Sequence, residues 1–143
     1  LSLIEVAGGE ATLRWNLRPG ADDPPIPLQV AALDDLLVGW SRHAKGDGLI
    51  AYSLKDGSTV WTHAATSFDN ANGLVEVVDG RAVISPMGGA WLELVDAGGT
   101  TTRTITGADD HGHASQLTAL DGSTLMVTGH RTGGGVYLEF VDL

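Results

Sequence analysis

The stretch that decides the fold is Gly48 to Trp61, GLIAYSLKDGSTVW. The run LIAYSL, which begins at Leu49, is followed by a turn that contains Gly57 and by a second run that ends at Trp61. Apolar and β-branched runs on either side of a short Gly-containing turn are typical of a β-hairpin. No long window of the chain has apolar residues at helical spacing. We therefore expect an all-β protein.

Hairpins of this kind recur along the chain. Three apolar runs break at an acidic turn, at Asp34, Asp79 and Asp121, and these turns are 45 and 42 residues apart. That spacing is the length of one four-stranded propeller blade. Each hairpin is followed by a second apolar run, and an earlier copy of that run opens the chain: LIAYSL at Leu49, AWLELV at Ala90, VYLEFV at Val136 and LSLIEV at Leu1.

The repeats predict a β-propeller segment of four-stranded antiparallel blades. With strands named A to D from the centre outward, the order is C-D, A-B-C-D, A-B-C-D, A-B-C, which makes about three blades in an incomplete ring. A propeller usually closes with about four to eight blades, so we expect the remaining blades from a longer chain or a second chain. The alternative is a self-contained β-sandwich of about thirteen short strands. The predicted blade boundaries within this single segment are 1–17 (partial), 28–63, 72–106 and 115–143 (partial).

A family resemblance lies in the same stretch. Ala51, Gly57 and Trp61 have the spacing A-x5-G-x3-W, which resembles the tryptophan-docking repeat of PQQ-like β-propellers. The resemblance implies that Gly57 permits the turn between strands C and D and that Trp61 packs between adjacent blades. Trp15, six residues after Gly9, is similar to a looser copy and would have the same docking role.

The sequence departs from the family pattern at two places. Ser53 stands where the family commonly has Asp, and Ile105 stands where we expect the Trp of the next repeat. The family includes quinoprotein dehydrogenases, outer-membrane assembly lipoproteins, luminal scaffolds and sensor domains, so the resemblance implies an extracytoplasmic location. It does not transfer quinone binding, and we expect no cofactor, with PQQ or a divalent metal as the alternatives.

Charge and composition exclude several classes of function. The chain has 18 Asp and Glu against 8 Lys and Arg, and a net charge of −10 repels phosphate backbones, so we expect no nucleic-acid partner. No apolar run approaches the roughly 20 residues of a membrane helix. There is no cysteine, which excludes disulfides and thiol chemistry.

One face of the predicted propeller carries the longer loops. In an up-and-down blade the B-C loops and the connections from D to the next A emerge on the same face, and binding residues concentrate in such loops. All five histidines are predicted to lie there. The candidate partner-binding residues are Arg42, His43, His63, Asp69, Asp109, His111, His113, His130 and Arg131.

The densest polar cluster in these loops is ADDHGHA, residues 108–114. His111 and His113 are candidate nitrogen ligands for a divalent metal, and Asp109 or Asp110 would supply oxygen. A metal site needs further ligands from other loops, and the alternative is a solvated loop whose aspartates cap turns.

Neither a nucleophile elbow nor a phosphate-binding loop is present in the sequence. We therefore predict a noncatalytic scaffold or protein-interaction module that holds a protein partner on the loop-rich face. The alternative is part of a propeller enzyme, a quinoprotein oxidoreductase or a hydrolase, with its site near the central axis.

Overall fold

The computed structural model describes residues 2–16, 29–41, 48–64, 74–86 and 91–143, apart from the side chains of Ser41 and His113. The expectation of an all-β fold is confirmed, since these residues form strands and contain no helix, and hence none that could cross a membrane. The strands are β1 (Ser2–Ala7), β2 (Glu10–Asn16), β3 (Val30–Leu33), β4 (Leu36–Ser41), β5 (Gly48–Ser53), β6 (Thr59–Ala64), β7 (Val75–Val78), β8 (Arg81–Ile84), β9 (Leu92–Val95), β10 (Thr101–Ile105), β11 (His111–Ala119), β12 (Thr124–Arg131) and β13 (Val136–Asp142).

The strands form four antiparallel sheets in which each strand pairs with the next one along the chain. Sheet 1 is β1–β2, sheet 2 is β3–β6, sheet 3 is β7–β10 and sheet 4 is β11–β13. Sheets 2 and 3 are four-stranded antiparallel blades, and the described sheets do not close a ring. In each sheet the strands follow one another in chain order. A β-sandwich differs, because its strands are divided between two facing sheets and the chain crosses from one sheet to the other.

The sheets are stacked in chain order, and we call the contact between two adjacent sheets a seam. In the 2/3 seam, Val38 and Leu49 of sheet 2 share a core with Ile84 of sheet 3. In the 3/4 seam, Leu94 of sheet 3 packs with Val127 of sheet 4. Sheet 3 is therefore covered on both faces, which explains why β9 is buried along its whole length. Each fully buried aliphatic side chain in such a core contributes about 1.5–3 kcal/mol.

The three acidic turns that set the period are turns of two kinds. Asp34 and Asp79 have φ angles of 51° and 52°, in the left-handed region that Asp tolerates better than most residues. Asp121 instead accepts the backbone N–H groups of Ser123 and Thr124, at 2.8 and 2.7 Å. Aspartate therefore stabilises the A-B turn in two ways. In sheets 2 and 3 it adopts the left-handed backbone conformation, and in sheet 4 its side chain accepts backbone hydrogen bonds.

Candidate functional site

The C-D hairpins of sheets 1, 2 and 3 share one irregularity. In each, the register shifts by one residue at the same place, which is a β-bulge in the outer strand. The residue that follows the bulge points toward the next sheet in the first two hairpins. The pairs at this position are Leu3 with Trp15, Ala51 with Trp61 and Leu94 with Arg103.

Trp15 packs at the 1/2 seam. Its indole lies over Gly57, where a Cβ atom would come within 3.0 Å of the ring. The indole Nε1 donates a hydrogen bond to the Leu54 carbonyl oxygen at 2.9 Å. Gly57 has a φ of +76°, so the turn requires glycine for its backbone as well as for the space that the ring occupies.

Trp61 repeats this arrangement at the 2/3 seam. Its indole lies over Gly99, where a Cβ atom would be 2.8 Å from Cδ2. Its Nε1 donates to the Ala97 carbonyl oxygen at 2.8 Å. Gly99 has a φ of +81°. Each tryptophan of an outer strand thus packs on the C-D turn of the following sheet.

The third outer strand, β10, has no tryptophan at the equivalent position, and that position is not the one predicted from the sequence. The register places Arg103, not Ile105, at the tryptophan position. The turn glycine marks the position, because Arg103 follows Gly99 by four residues as Trp61 follows Gly57, whereas Ile105 lies two residues further. Arg103 is exposed. Ile105 lies two residue pairs further along, where it packs against the core of the 3/4 seam.

A buried polar cluster lies beside Trp61 in the 2/3 seam. His63 Nε2 is 3.0 Å from Oε1 of Glu93, which is fully buried. His63 Nδ1 is 3.0 Å from the Gly99 carbonyl oxygen. Thr101 donates its hydroxyl to the same Glu93 oxygen. The cluster joins β6 of sheet 2 to β9 and β10 of sheet 3.

The two ring nitrogens of His63 both lie within hydrogen-bonding distance of oxygen atoms. Nδ1 carries a proton in this arrangement, because a carbonyl oxygen can only accept. Nε2 lies between two oxygen atoms, at 3.0 Å from Glu93 Oε1 and 3.3 Å from the Thr101 hydroxyl oxygen. The other Glu93 oxygen, Oε2, is buried without a hydrogen-bond partner among the described residues, which makes an unpaired carboxylate costly here.

A second imidazole–carboxylate pair lies in the 3/4 seam. His111 Nδ1 accepts the Ala108 backbone N–H at 3.1 Å, so Nε2 carries the ring proton and donates it to Glu139 Oε1 at 2.7 Å. The side chain of His111 is 3% exposed and that of Glu139 is 39% exposed. Both belong to sheet 4, so this pair, unlike the first, lies within a single sheet.

Aromatic rings surround the second pair. The His111 ring stacks on Tyr137, with centroids 4.4 Å apart and planes at 20°. It is also in contact with the ring of Trp91, at 4.7 Å between centroids. Trp91 Nε1 donates to the Tyr137 hydroxyl oxygen at 2.9 Å, which ties sheet 3 to sheet 4. Burial raises the pKa of Tyr137 above its usual value, and the Glu139 charge acts in the same direction.

Among the described side chains, the candidate metal ligands are not brought together. Both ring nitrogens of His111 are engaged, so neither has a lone pair for a metal. Asp110 forms an ion pair with Arg131. Asp109 lies in an exposed turn, and the side chain of His113 is outside the described part of the structure. Within the described residues, no group of three metal-ligating side chains occurs.

The predicted partner-binding residues separate into three groups. His63 and His111 lie in strands and face the seams, with side chains 16% and 3% exposed, so the prediction that they lie in loops is wrong. His130 and Arg131 end strand β12, and His130 is exposed. Asp109 is also exposed, in a turn. The remaining candidates lie outside the described part of the structure: Arg42, His43, Asp69 and the side chain of His113.

The sequence interpretation missed the two glutamates. Glu93 and Glu139 occur inside apolar runs, AWLELV and VYLEFV, which were treated only as strands. Their shared place in these runs is a signal, since a charged residue repeated in a buried strand requires a partner. In the structure they occupy equivalent register positions, because Glu93 pairs with Ile84 on β8 and Glu139 with Val127 on β12.

Comparison with known proteins found no match. No family model matches the chain, and neither does any curated protein or solved structure. The functional conclusion therefore rests on the fold and on the contacts described above.

Proposed function

We propose that this chain is a segment of a PQQ-like β-propeller that acts outside the cytoplasm as a noncatalytic scaffold or protein-interaction module. The observation that carries the proposal is that both ends of the sheet stack present apolar faces to solvent. The exposed side chains are Ile4 (56%), Val6 (71%) and Leu13 (58%) on sheet 1, and Val136 (72%), Leu138 (55%) and Phe140 (64%) on sheet 4.

These side chains are exposed because of strand alternation. Trp15 turns one face of sheet 1 toward sheet 2, while Ile4 pairs with Leu13 on the opposite face. In β13, Tyr137 is buried in the 3/4 seam and its neighbours Val136 and Leu138 point the other way. Inside the stack, sheet 3 has both faces covered. A cluster of exposed apolar side chains on an otherwise acidic protein is typical of a surface that packs against further polypeptide, which is either the remaining blades of the propeller or a protein partner.

The polar clusters support a structural rather than a catalytic role. His63 is bound to Glu93 across the 2/3 seam, and His111 is bound to Glu139 beside the 3/4 seam. These side chains hold adjacent sheets together or neutralise buried charge. Among the described residues, no observation favours the alternative of an oxidoreductase or hydrolase site near the axis.

Photo-crosslinking from the two ends of the stack tests the proposal. A benzoylphenylalanine placed at Phe140 or at Leu13, in the protein produced in its native cell, should crosslink to a protein that mass spectrometry identifies. The matched control is the same group at Thr102, an exposed position in the middle of the stack, which should give no such product. Absence of protein crosslinks from both ends, or equal crosslinking at Thr102, would overturn the proposal.

A further inference from the structure

Three turns of the described structure contain an aspartate followed by a glycine. The three bonds are Asp56–Gly57 in the C-D turn of sheet 2, Asp79–Gly80 in the A-B turn of sheet 3 and Asp121–Gly122 in the A-B turn of sheet 4. At such a bond the backbone nitrogen of the glycine can attack the aspartate carboxyl group, because glycine has no side chain to hinder the approach. The three turns differ in how firmly the two reacting groups are held.

At Asp56–Gly57 both reacting groups are held. The Gly57 N–H donates to the Ser53 carbonyl oxygen at 2.9 Å, and the Trp15 ring covers the glycine. Oδ1 of Asp56 accepts the Ser58 hydroxyl at 2.7 Å and the Ser58 backbone N–H at 3.0 Å. These two hydrogen bonds lower the pKa of Asp56. The protonated carboxyl group, which is the form that can lose water, is therefore rare at this position.

At Asp121–Gly122 the carboxyl group is held by residues beyond the glycine. Its Oδ1 accepts the backbone N–H groups of Ser123 and Thr124 at 2.8 and 2.7 Å, and these bonds lower the pKa of Asp121. The carboxyl group must give up these hydrogen bonds before it can turn toward the Gly122 nitrogen.

At Asp79–Gly80 neither reacting group is held in this way. The Asp79 carboxyl group forms an ion pair with Arg81, and the Asp79 side chain is 54% exposed. An exposed ion pair of this kind opens at little cost. Among the described residues no partner accepts the Gly80 N–H, and a Cβ atom at Gly80 would have no atom within 4 Å. Of the three bonds, this one has the least restrained reacting groups.

The A-B turn of sheet 2 separates the effect of the glycine from that of the backbone angle. Asp34 has a φ of 51° and Asp79 a φ of 52°, so both aspartates lie in the left-handed region. The residue after Asp34 is Asp35, whose side chain crowds the attacking nitrogen. The backbone angle of the aspartate therefore does not distinguish Asp79, whereas the unhindered glycine nitrogen does.

We propose that Asp79–Gly80 is a site of spontaneous aspartate isomerisation. The Gly80 nitrogen bonds to Cγ of Asp79, the N–H proton and the carboxyl hydroxyl group leave as water, and a five-membered succinimide forms. A water molecule then adds to one of the two imide carbonyl groups. Cleavage between the nitrogen and the Asp79 backbone carbonyl carbon leaves isoaspartate, in which the main chain runs through Cγ, whereas cleavage at Cγ restores aspartate. One water is lost and one is taken up, so no other reactant is required.

Isomerisation adds a methylene group to the main chain of a two-residue turn. Val78 and Arg81, which flank the turn, pair with each other, and Val78 is buried in the core of the 3/4 seam. A longer turn should therefore disturb both the pairing of β7 with β8 and the packing of sheet 3. This inference does not depend on the proposed function, since it concerns the chemistry of one peptide bond.

Incubation of the intact chain at physiological temperature and pH tests the inference. The incubated protein is digested with a protease that cleaves before aspartate but not before isoaspartate, and the peptides are identified by mass spectrometry. Isoaspartate at residue 79 leaves residues 69–95 as one uncut peptide. It should accumulate about tenfold faster than isoaspartate at residues 56 and 121, because the hydrogen bonds at those turns add to the barrier.

The same protein unfolded in urea is the control for local sequence. Without the turns, the three Asp-Gly bonds should react at similar rates, so a preference for Asp79 that is present only in the folded protein comes from the structure. Isoaspartate at residue 79 that forms no faster than at residues 56 and 121 in the folded protein would overturn the inference. An equal preference for Asp79 in urea would overturn it as well.

Gly80→Asn is the matched variant. Asparagine tolerates the left-handed region in which Gly80 lies, at a φ of +65°, and its side chain has room there. The added side chain should slow isomerisation at residue 79 by about tenfold, because it hinders the attacking nitrogen. An unchanged rate in a folded Gly80→Asn protein would contradict the assignment of Gly80 as the nucleophile. The comparison of the three bonds in the wild type tests the inference even where this variant does not fold.

Discussion

The 2/3 and 3/4 seams place a glutamate at the same register position and neutralise it in different ways. In the 2/3 seam Glu93 is fully buried, and its imidazole, His63, comes from the preceding sheet. In the 3/4 seam the side chain of Glu139 is 39% exposed, and its imidazole, His111, comes from the same sheet. The position that His63 occupies in sheet 2 is taken in sheet 3 by Ile105, because Leu49 pairs with His63 as Leu92 pairs with Ile105.

The difference follows from the tryptophan. Where Trp61 packs on the next C-D turn, the outer part of the seam is closed, and a histidine two residues further along the same strand points into it. Where Arg103 replaces the tryptophan, the aromatic cluster around Tyr137 fills the seam instead. The repeat therefore sets the location of the carboxylate, and the local packing of each seam decides how its charge is compensated.

Removal of the imidazole from the 2/3 seam should have the largest effect. His63→Leu leaves Glu93 buried without its partner, and loss of one member of a buried pair costs about 3–5 kcal/mol. We expect a loss of this size in the free energy of unfolding, measured with urea. The double variant His63→Leu with Glu93→Leu should recover most of the loss, since two apolar side chains need no partner. A single variant that loses less than about 1 kcal/mol would show that the buried glutamate does not depend on His63.

A methyl group under the docked tryptophan should have the next largest effect. Gly99→Ala places a Cβ atom 2.8 Å from Trp61 and puts alanine at a φ of +81°. Backbone strain alone costs about 1 kcal/mol, and the clash raises the expected loss of unfolding free energy to about 2–3 kcal/mol. Gly8→Ala is the matched control, because Gly8 has a φ of +61° and no atom within 4 Å of its Cβ position. Equal losses of unfolding free energy for the two variants would mean that the Trp61 ring moves aside for the added methyl group at little cost.

The strands and turns could be predicted from the sequence because the residues that specify them are close together along the chain. Asp34 and Asp79 mark turns through their own backbone conformation, and Gly57 and Trp61 belong to one hairpin. What the spacing did not reveal is that Gly57 receives Trp15 rather than Trp61. A contact between residues 42 positions apart depends on how successive sheets stack, which no local pattern encodes.

The candidate site was less predictable because strand ends were taken for loops. The sequence predicts His63 and His111 in the longer loops, but β6 continues to Ala64 and β11 begins at His111. Once these residues lie in strands, alternation directs His63 and His111 toward the adjacent sheets. Their partners are Glu93 and Glu139. Each glutamate stands inside a mostly apolar strand, so the sequence pattern predicts the strand but not the charged pair.

Loss of the tyrosine hydroxyl in the 3/4 seam should have a smaller effect. Tyr137→Phe leaves the buried Trp91 Nε1 without its acceptor, at a cost of about 1–2 kcal/mol in the free energy of unfolding. Because burial raises the pKa of Tyr137 in the folded state, its contribution is complete below the unfolded pKa near 10 and is lost as the pH rises through the folded value.

The pH dependence provides the control for this variant. Stability of the wild type should fall above about pH 10, and Tyr137→Phe should remove part of that fall. Absorbance titration at alkaline pH should show Tyr137 ionising above the usual range in the wild type, in a transition that is absent from Tyr137→Phe. A single transition at the ordinary tyrosine pKa would mean that the 3/4 seam admits solvent to this ring.

Removal of the Asp121 charge, at a turn outside both seams, should change stability least. It gives the baseline against which the effects of the seam variants are compared. Hydrogen bonds from the Ser123 and Thr124 backbone N–H groups hold the pKa of Asp121 below its usual value. A lowered pKa contributes stability above the unfolded value near 4 and loses it as the pH falls through the folded value. Asp121→Asn should therefore lower the melting temperature slightly at pH 7, and the difference from wild type should disappear in acid. Asp56→Asn should behave alike, because the hydroxyl and then the backbone N–H of Ser58 lower the pKa of Asp56. If the difference in melting temperature from wild type persists in acid, the effect comes from turn geometry and not from charge. The loss of stability in His63→Leu should exceed that in either turn variant.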